Sequence, residues 1–337
     1  MTRHTLLYTL ILLLSLSGCA NNIKRTKGAP DWIYTQAKQY PNALYMSSKG
    51  QGMSLDLAKD RARADLAKNF EVAIQELSRD NQSFTRIMDE VEKEQFKIHV
   101  ERDIVTHTDQ VLHGVEIADT WYDPVKNIHY ALAVLSRQKT AQRLRHEIEV
   151  LDNATGMYLS YARSSTDKLE KAARIYQGIE AQWERINLYR SLHVVDIASK
   201  GFPPLWDVFS IEADYHKLLN QISFRVDTAG SEGVQKIIAS ALATSGFLVK
   251  KDNSADYLLT GILELDDIKR DNGWYWLRGS LTVTLRDANG RLRGAHTWPL
   301  KQSATQEMLV QQRINQTVER LLEMELRSTL LGFAYDK

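Results

Sequence analysis

Among 337 residues there is one cysteine, Cys19, and that count governs what the chain can become. No internal disulfide and no multi-cysteine zinc site can brace it, so its folded parts must be held by packing alone. The supply of apolar side chains is adequate. Hydrophobic residues make up 43% and charged residues 25%, with only 17 Gly and 6 Pro, the balance of a globular chain rather than a disordered or fibrous one. At about 100–200 residues per domain, the length points to two or three units. Lys and Arg number 43 against 42 Asp and Glu. That near-neutrality argues against nucleic acid as a partner, which calls for a basic surplus.

The position of the cysteine says more than its solitude. Residues 1–18 read as an export signal: Arg3 and His4, an apolar run from Leu6 to Leu16, then small residues. About eleven apolar residues cannot span a hydrocarbon core that takes about 20. The run ends Leu16-Ser17-Gly18-Cys19, and this stretch resembles the bacterial lipobox. The resemblance implies cleavage before Cys19, a diacylglyceryl group on its thiol and a palmitate-type acyl chain on the freed amine. Several chains are needed, because one alone anchors only marginally. Ala20 follows where an inner-membrane protein of this kind carries Asp, so the resemblance implies the outer membrane and its periplasmic face. Membrane lipid held through Cys19 is thus the first expected partner. Residues 19–30 read as a lipidated tether; its cations Lys24, Arg25 and Lys27 either stay solvated or rest on anionic headgroups at about 1 kcal/mol each.

The remainder reads as two small α+β domains with antiparallel sheets, residues 31–140 and 206–337, joined by a helical hairpin over 141–205. In the first, a strand over Ala43–Ser48 leads to a turn at Gly50 and Gly52. A helix follows from Ser54, an N-cap, with Ala58, Ala62, Leu66, Phe70, Ile74 and Leu77 on one face. Alanines there allow close approach to a sheet. Extended runs follow at Lys97–Leu112, Gly114–Tyr122 and Asn127–Ser136, the last presenting Ile128, Tyr130, Leu132 and Val134 on one face after an Asp123–Asn127 turn. The hairpin breaks near Ala162–Thr166. Beyond Gly201-Phe202-Pro203-Pro204 a short helix, a strand at Gln221–Asp227 and a helix at Ser231–Thr244 precede strands near Phe247–Lys250, Ala255–Leu265, Trp274–Arg286 and Arg291–Lys301, arranged as an antiparallel meander. Asp287-Ala288-Asn289-Gly290 reads as a hairpin turn, and a terminal helix closes the chain.

Motifs that carry chemistry are scarce. The chain has no Walker-type loop, Rossmann fingerprint, H-E-x-x-H or G-x-S-x-G, so no cofactor, no metal and no catalytic residues are expected. Gly50-Gln51-Gly52 suits a turn better than an anion cradle. Two S-x-x-K matches, Ser136 to Lys139 and Ser165 to Lys168, lack the companion motifs of serine acyl enzymes. The nine histidines form no i, i+4 pair, and His107 and His113 with Asp103 and Asp109 read as the polar edge of a strand. Asp266-Asp267 and Lys269-Arg270-Asp271 read as a charged loop. One pattern stands apart. From Trp274 to Leu285, Tyr275, Leu277, Leu281, Val283 and Leu285 make an apolar face, and Trp274, Trp276 and Arg278 stand at the end of the opposite, polar one. Trp with Arg is a binding composition, which makes these three the candidate interaction residues; the alternative reading is that a helix or the other domain covers them.

Pro30-Asp31-Trp32-Ile33, the glycines at 50 and 52, and the helix from Ser54 through Ala62-Arg63-Ala64-Asp65-Leu66-Ala67-Lys68 resemble the lipoprotein-20 family of membrane-associated bacterial lipoproteins, which includes flagellar outer-membrane assembly lipoproteins. The chain departs from the family at Met46-Ser47-Ser48-Lys49, where a glycine-rich strand end is usual. Ala255-Asp256-Tyr257-Leu258-Leu259-Thr260-Gly261 is similar to the α+β domain of curli-secretion, Tol-system and penicillin-binding-protein-activator lipoproteins. The first resemblance implies a non-enzymatic structural or adaptor subunit of an envelope assembly, with envelope proteins or a further copy of the chain as partners. The second implies an activator of a peptidoglycan synthase, for which a tether of about eleven residues, roughly 35–40 Å when extended, is short.

Overall fold

The computed structural model describes residues 26–80, 114–196, 202–228 and 231–334. The signal, the lipobox with Cys19, the run at Lys97–Leu112 and the histidines at 107 and 113 lie outside the described residues. Those described fall into two compact units, residues 26–80, 114–141 and 194–196 in the first, and 142–193, 202–228 and 231–334 in the second. No helix among them is long and apolar enough to cross a membrane.

The first unit is a three-stranded antiparallel sheet in the order β1 (Tyr45–Gly52), β3 (Ile128–Ser136), β2 (Val115–Asp123), with helix α1 (Leu55–Asp80) on one face. Ser54 caps that helix by accepting the Leu57 N–H at 3.2 Å. The alanine face is used as its spacing demands: Ala58, Ala62, Leu66, Phe70 and Ile74 are all buried. The expected turn at Gly50 and Gly52 is corrected, because both glycines belong to β1, opposite Ala131 and His129. Their role is steric. A Cβ on Gly50 would stand 2.1 Å from the Ala58 carbonyl oxygen and 2.3 Å from the Ala62 nitrogen, so only glycine lets α1 lie backbone to backbone on the strand. Ser48 completes the seam by donating its hydroxyl to the Ala62 carbonyl.

Strand β3 is buried on both faces. Ala131 and Ala133 share the α1 side with Gly50 and Ser48, and Leu132 and Val134 turn to a second cluster with Trp32 and Ala37. Trp32 sits in a single 3-10 turn, Asp31–Ile33, and donates its indole N–H to Asp119 Oδ2 at 2.6 Å. Lys49 Nζ, on the same sheet face, donates to the Thr35 carbonyl at 2.8 Å. Folded structure begins earlier than the tether reading had it. Thr26, inside the stretch read as tether, donates its N–H to Tyr34 Oη at 2.6 Å and its hydroxyl to Asp123 Oδ2 at 3.4 Å.

The second unit takes in helix α2 (Arg137–Ser164) from Gln142 on and helix α3 (Lys168–Val195) as far as His193, and the two helices turn back on each other across Ser165–Asp167. Reading 141–205 as a separate connector is corrected. Leu169, Ala172, Ile179 and Trp183 of α3 enter the same core as the C-terminal sheet, because their apolar stripe needs a surface to cover it. Then come α4 (Val208–Leu219), β4 (Ser223–Asp227), α5 (Glu232–Thr244), β5 (Leu248–Val249), β6 (Tyr257–Leu265), β7 (Lys269–Asp271), β8 (Trp274–Asp287), β9 (Leu292–Ala304) and α6 (Glu307–Gly332). Strands β6, β8 and β9 are antiparallel neighbours as expected, but β4 runs parallel to both β5 and β6. Helix α5 is the reason: a helical crossover returns the chain to its starting side, so the strand after it runs the same way. The charged loop at Lys269–Asp271 is likewise corrected to a strand. Asn272 and Gly273, with φ of 48° and 79°, make the tight turn that folds it onto β8.

Candidate interaction face

Long strand β8 divides its side chains as a period of two requires. Leu277, Leu281, Val283 and Leu285 point into the core with Ile314, Val318 and Leu322 of α6. Trp274, Trp276 and Arg278 share the opposite face, and cross-strand register adds Lys301 opposite Arg278, Thr297 opposite Thr282 and Ile262 on the other side of Thr282. The two threonine hydroxyls are 2.9 Å apart. Trp274 is 44% exposed at the end of the strand, Trp276 is half-buried and Arg278 is exposed. The three residues singled out from the sequence therefore stand on one face, as the alternation predicts.

Trp276 and Arg278 also line a cleft of about 400 Å³ with Asp266, Asp267, Lys269, Asp271 and Lys301. The β7–β8 hairpin builds it by placing Lys269 opposite Trp276. Lys301 Nζ lies 5.1 Å from the centre of the Trp276 ring, a cation–π contact worth about 0.5–1 kcal/mol when exposed. Arg278 and Lys301 are like charges directly opposite, an arrangement that repels. Among the described residues, none of the six charged side chains of the cleft forms a hydrogen bond or ion pair. Such a surface can take an acidic group between Arg278 and Lys301 and a basic one beside the aspartates. Asp266 and Asp267 lie in a loop as expected, whereas Lys269 and Asp271 reach the cleft on a β-hairpin whose signal is Asn272-Gly273.

The S-x-x-K residues take part in local hydrogen bonds. Ser136 Oγ accepts the Lys139 N–H at 3.4 Å, at the start of α2. Ser165 donates to Glu170 Oε2 at 3.0 Å, and Lys168 Nζ donates to Asp256 Oδ1 at 2.8 Å and the Gln221 carbonyl at 3.0 Å. Asp256 Oδ2 accepts from both the N–H and the hydroxyl of Ser223, at 2.8 and 2.7 Å. Beside it, Asp167 receives the Tyr257 hydroxyl at 2.7 Å and pairs with Arg293. Burial works to raise the Asp167 pKa, but hydrogen bonds from the Glu170 N–H, Tyr257 and Arg293 outweigh it and hold the carboxyl below its usual range. Burial and then Asp167 push the Tyr257 hydroxyl up. Segment Ala255-Asp256-Tyr257 thus fastens the start of α3 to the sheet.

A model of the LPP20 lipoprotein family matches residues 30–136, which bears out the resemblance carried by Pro30-Asp31-Trp32 and the alanine helix. No curated protein matches the chain. Among solved structures, it is similar to a secreted protein of Helicobacter pylori at 13% identity and a TM-score of 0.46, over 83% of this chain and 97% of that one. It is also similar to a minor lipoprotein of Acinetobacter baumannii at 19% identity and a TM-score of 0.27, over 33% and 91% of the two chains. A lipoprotein of Neisseria meningitidis follows at 12% identity and a TM-score of 0.21, over 29% and 96%.

Proposed function

We propose that this protein is an outer-membrane lipoprotein, anchored through lipidated Cys19 on the periplasmic face, that serves as a non-enzymatic adaptor or structural subunit of an envelope assembly. The LPP20 match over residues 30–136, just beyond the lipobox, supports the anchor. Thr26 is tied to Tyr34 and Asp123, and the six residues between it and Cys19 can span at most about 20 Å at 3.3–3.6 Å each, which favours a partner at the membrane surface over a synthase across the wall.

The adaptor role rests on the cleft around Trp276, where six charged side chains form no hydrogen bond or ion pair among the described residues and stand beside a half-buried indole that Lys301 touches. Its occupant is another envelope protein or a second copy of the chain. Fully burying an aromatic side chain is worth about 1.5–3 kcal/mol, and Trp274, 44% exposed, has nearly half of that still to gain and Trp276 somewhat less. Trp274→Thr with Trp276→Thr should therefore weaken association by roughly 1–2 kcal/mol, about 5–30-fold, in sedimentation or cross-linking. The fold should survive, because Leu277, Leu281 and Val283 fill the core from the opposite face. Unchanged association refutes the contact, and unfolding of the double variant assigns both tryptophans to the core.

A further inference from the structure

A second surface lies away from the cleft. Helices α2, α3 and α4 of the second unit border a groove of about 520 Å³, within the roughly 300–1,000 Å³ of ligand clefts. Its floor is apolar: Leu159 and Ala162 of α2, Ile175 of α3, Ile211 of α4 and the Trp206 indole. Leu205 stands at the lip, 74% exposed.

The groove is built in advance. Trp206 donates its indole N–H to the Asp152 carbonyl at 3.1 Å, and it lies over Gly156, where a Cβ would come within 3.3 Å of the ring. Arg185, held by Asp152 at 3.1 Å, donates to the carbonyls of Phe202 and Pro203 at 3.0 Å each. The loop that forms one wall is therefore pinned to the helical hairpin, and binding does not have to pay for ordering it.

The spacing of the lining residues and the signs of their charges identify the occupant. Helix α4 with its cap offers Asp207, Ser210, Ile211 and Asp214, one helix face on which Ile211 is flanked by carboxylates two turns apart. Arg163 and Lys171 line the α2–α3 wall and form no ion pair among the described residues. Asp207 and Asp214 line the α4 wall; Asp207 accepts from Phe209 and Ser210 as the cap, and Asp214 pairs at 3.3 Å with Lys217. A fatty acid would satisfy only the cationic wall and leave its chain against the carboxylates. We infer that the groove receives an amphipathic helix of a partner protein, its apolar stripe flanked by acidic residues toward Arg163 and Lys171 and by basic residues toward Asp207 and Asp214.

The test does not depend on the lipid anchor or on the Trp276 cleft. A fluorescent synthetic peptide of about 18 residues, with a leucine stripe between a glutamate row and a lysine row, is titrated into residues 19–337 carrying Cys19→Ala, and anisotropy is read. Saturable binding is expected. Arg163→Glu with Lys171→Glu, both at the rim and outside the core, should weaken it about tenfold, and a peptide with lysine in both rows should restore it. Circular dichroism checks that the variant is folded. Absence of saturable binding, or binding that ignores the charge reversal, overturns the inference. So does saturable dodecanoate binding that depends on Arg163 and Lys171 while the peptide fails to bind, since that outcome makes the groove a lipid site.

Discussion

Replacing Gly50 by alanine puts the seam between β1 and α1 to a direct test. The added Cβ would fall 2.1 Å from the Ala58 oxygen and 2.3 Å from the Ala62 nitrogen, against ordinary contacts of 3.4–4 Å. Helix and strand must therefore separate by roughly 1.3 Å, and because both obstructing atoms are backbone, no side-chain rotation relieves the clash. Overpacking a core costs about 1–3 kcal/mol, and a gap of 0.5–1 Å forfeits about a quarter to a half of each dispersion contact along the seam. A loss of about 3 kcal/mol follows, or about a hundredfold in protection against hydrogen exchange. Exchange read by mass spectrometry is the suitable assay, since two units need not unfold together. Peptides from α1 and β3 should exchange about a hundredfold faster, and those from β8 at the normal rate. Gly233→Ala is the contrasting control. It lies in the first turn of α5 with nothing within 4 Å of the new Cβ, so it should stabilise its unit by up to about 1 kcal/mol. Unchanged protection of α1 in Gly50→Ala would refute the close seating of the helix on the strand.

Two further outcomes concern the second unit. Asp152→Ala strands the Arg185 guanidinium, whose side chain is 2% exposed, and should cost about 3–5 kcal/mol, whereas Asp152→Ala combined with Arg185→Met should recover most of it; urea unfolding of both variants decides. For pH, burial works to raise Asp167 and Asp256, but hydrogen bonds and the facing Arg293 and Lys168 keep both net lowered. A carboxyl depressed in the fold contributes stability that is present above its unfolded value of about 3.9 and lost as pH falls through the folded one. The urea midpoint of this unit should therefore fall below about pH 4, and less steeply in Asp167→Asn; an equal slope in that variant would show that Asp167 carries none of the dependence.

What the sequence disclosed was whatever repeats along one element. The 3.6-residue spacing of Ala58, Ala62, Leu66 and Phe70 gave α1 and its buried face, and the alternation from Trp274 to Leu285 gave β8 and both of its sides. Features made by partners far apart in the chain were hidden. Gly50 reads as a turn residue until Ala58 and Ala62 are seen lying on it, and the helix at Ser231–Thr244 was legible while the parallel pairing of β4 with β5 and β6 was not. The Asp152–Arg185 pair joins two helices at positions where charged residues ordinarily mark a solvated face, so no local signal betrays its burial. The cleft was legible by half. Trp276 and Arg278 announce themselves by period, but Lys269 and Asp271 join them only through a hairpin whose Asn272-Gly273 turn is set among charged residues.

The proposed anchor is tested most directly by the mass of the N-terminal peptide from protein extracted out of membranes. The account predicts a chain that begins at Cys19 and carries a diacylglyceryl group and an amide-linked acyl chain, with Cys19→Ala released from the membrane fraction. A chain that keeps Met1, or one that starts elsewhere with an unmodified thiol, would contradict it.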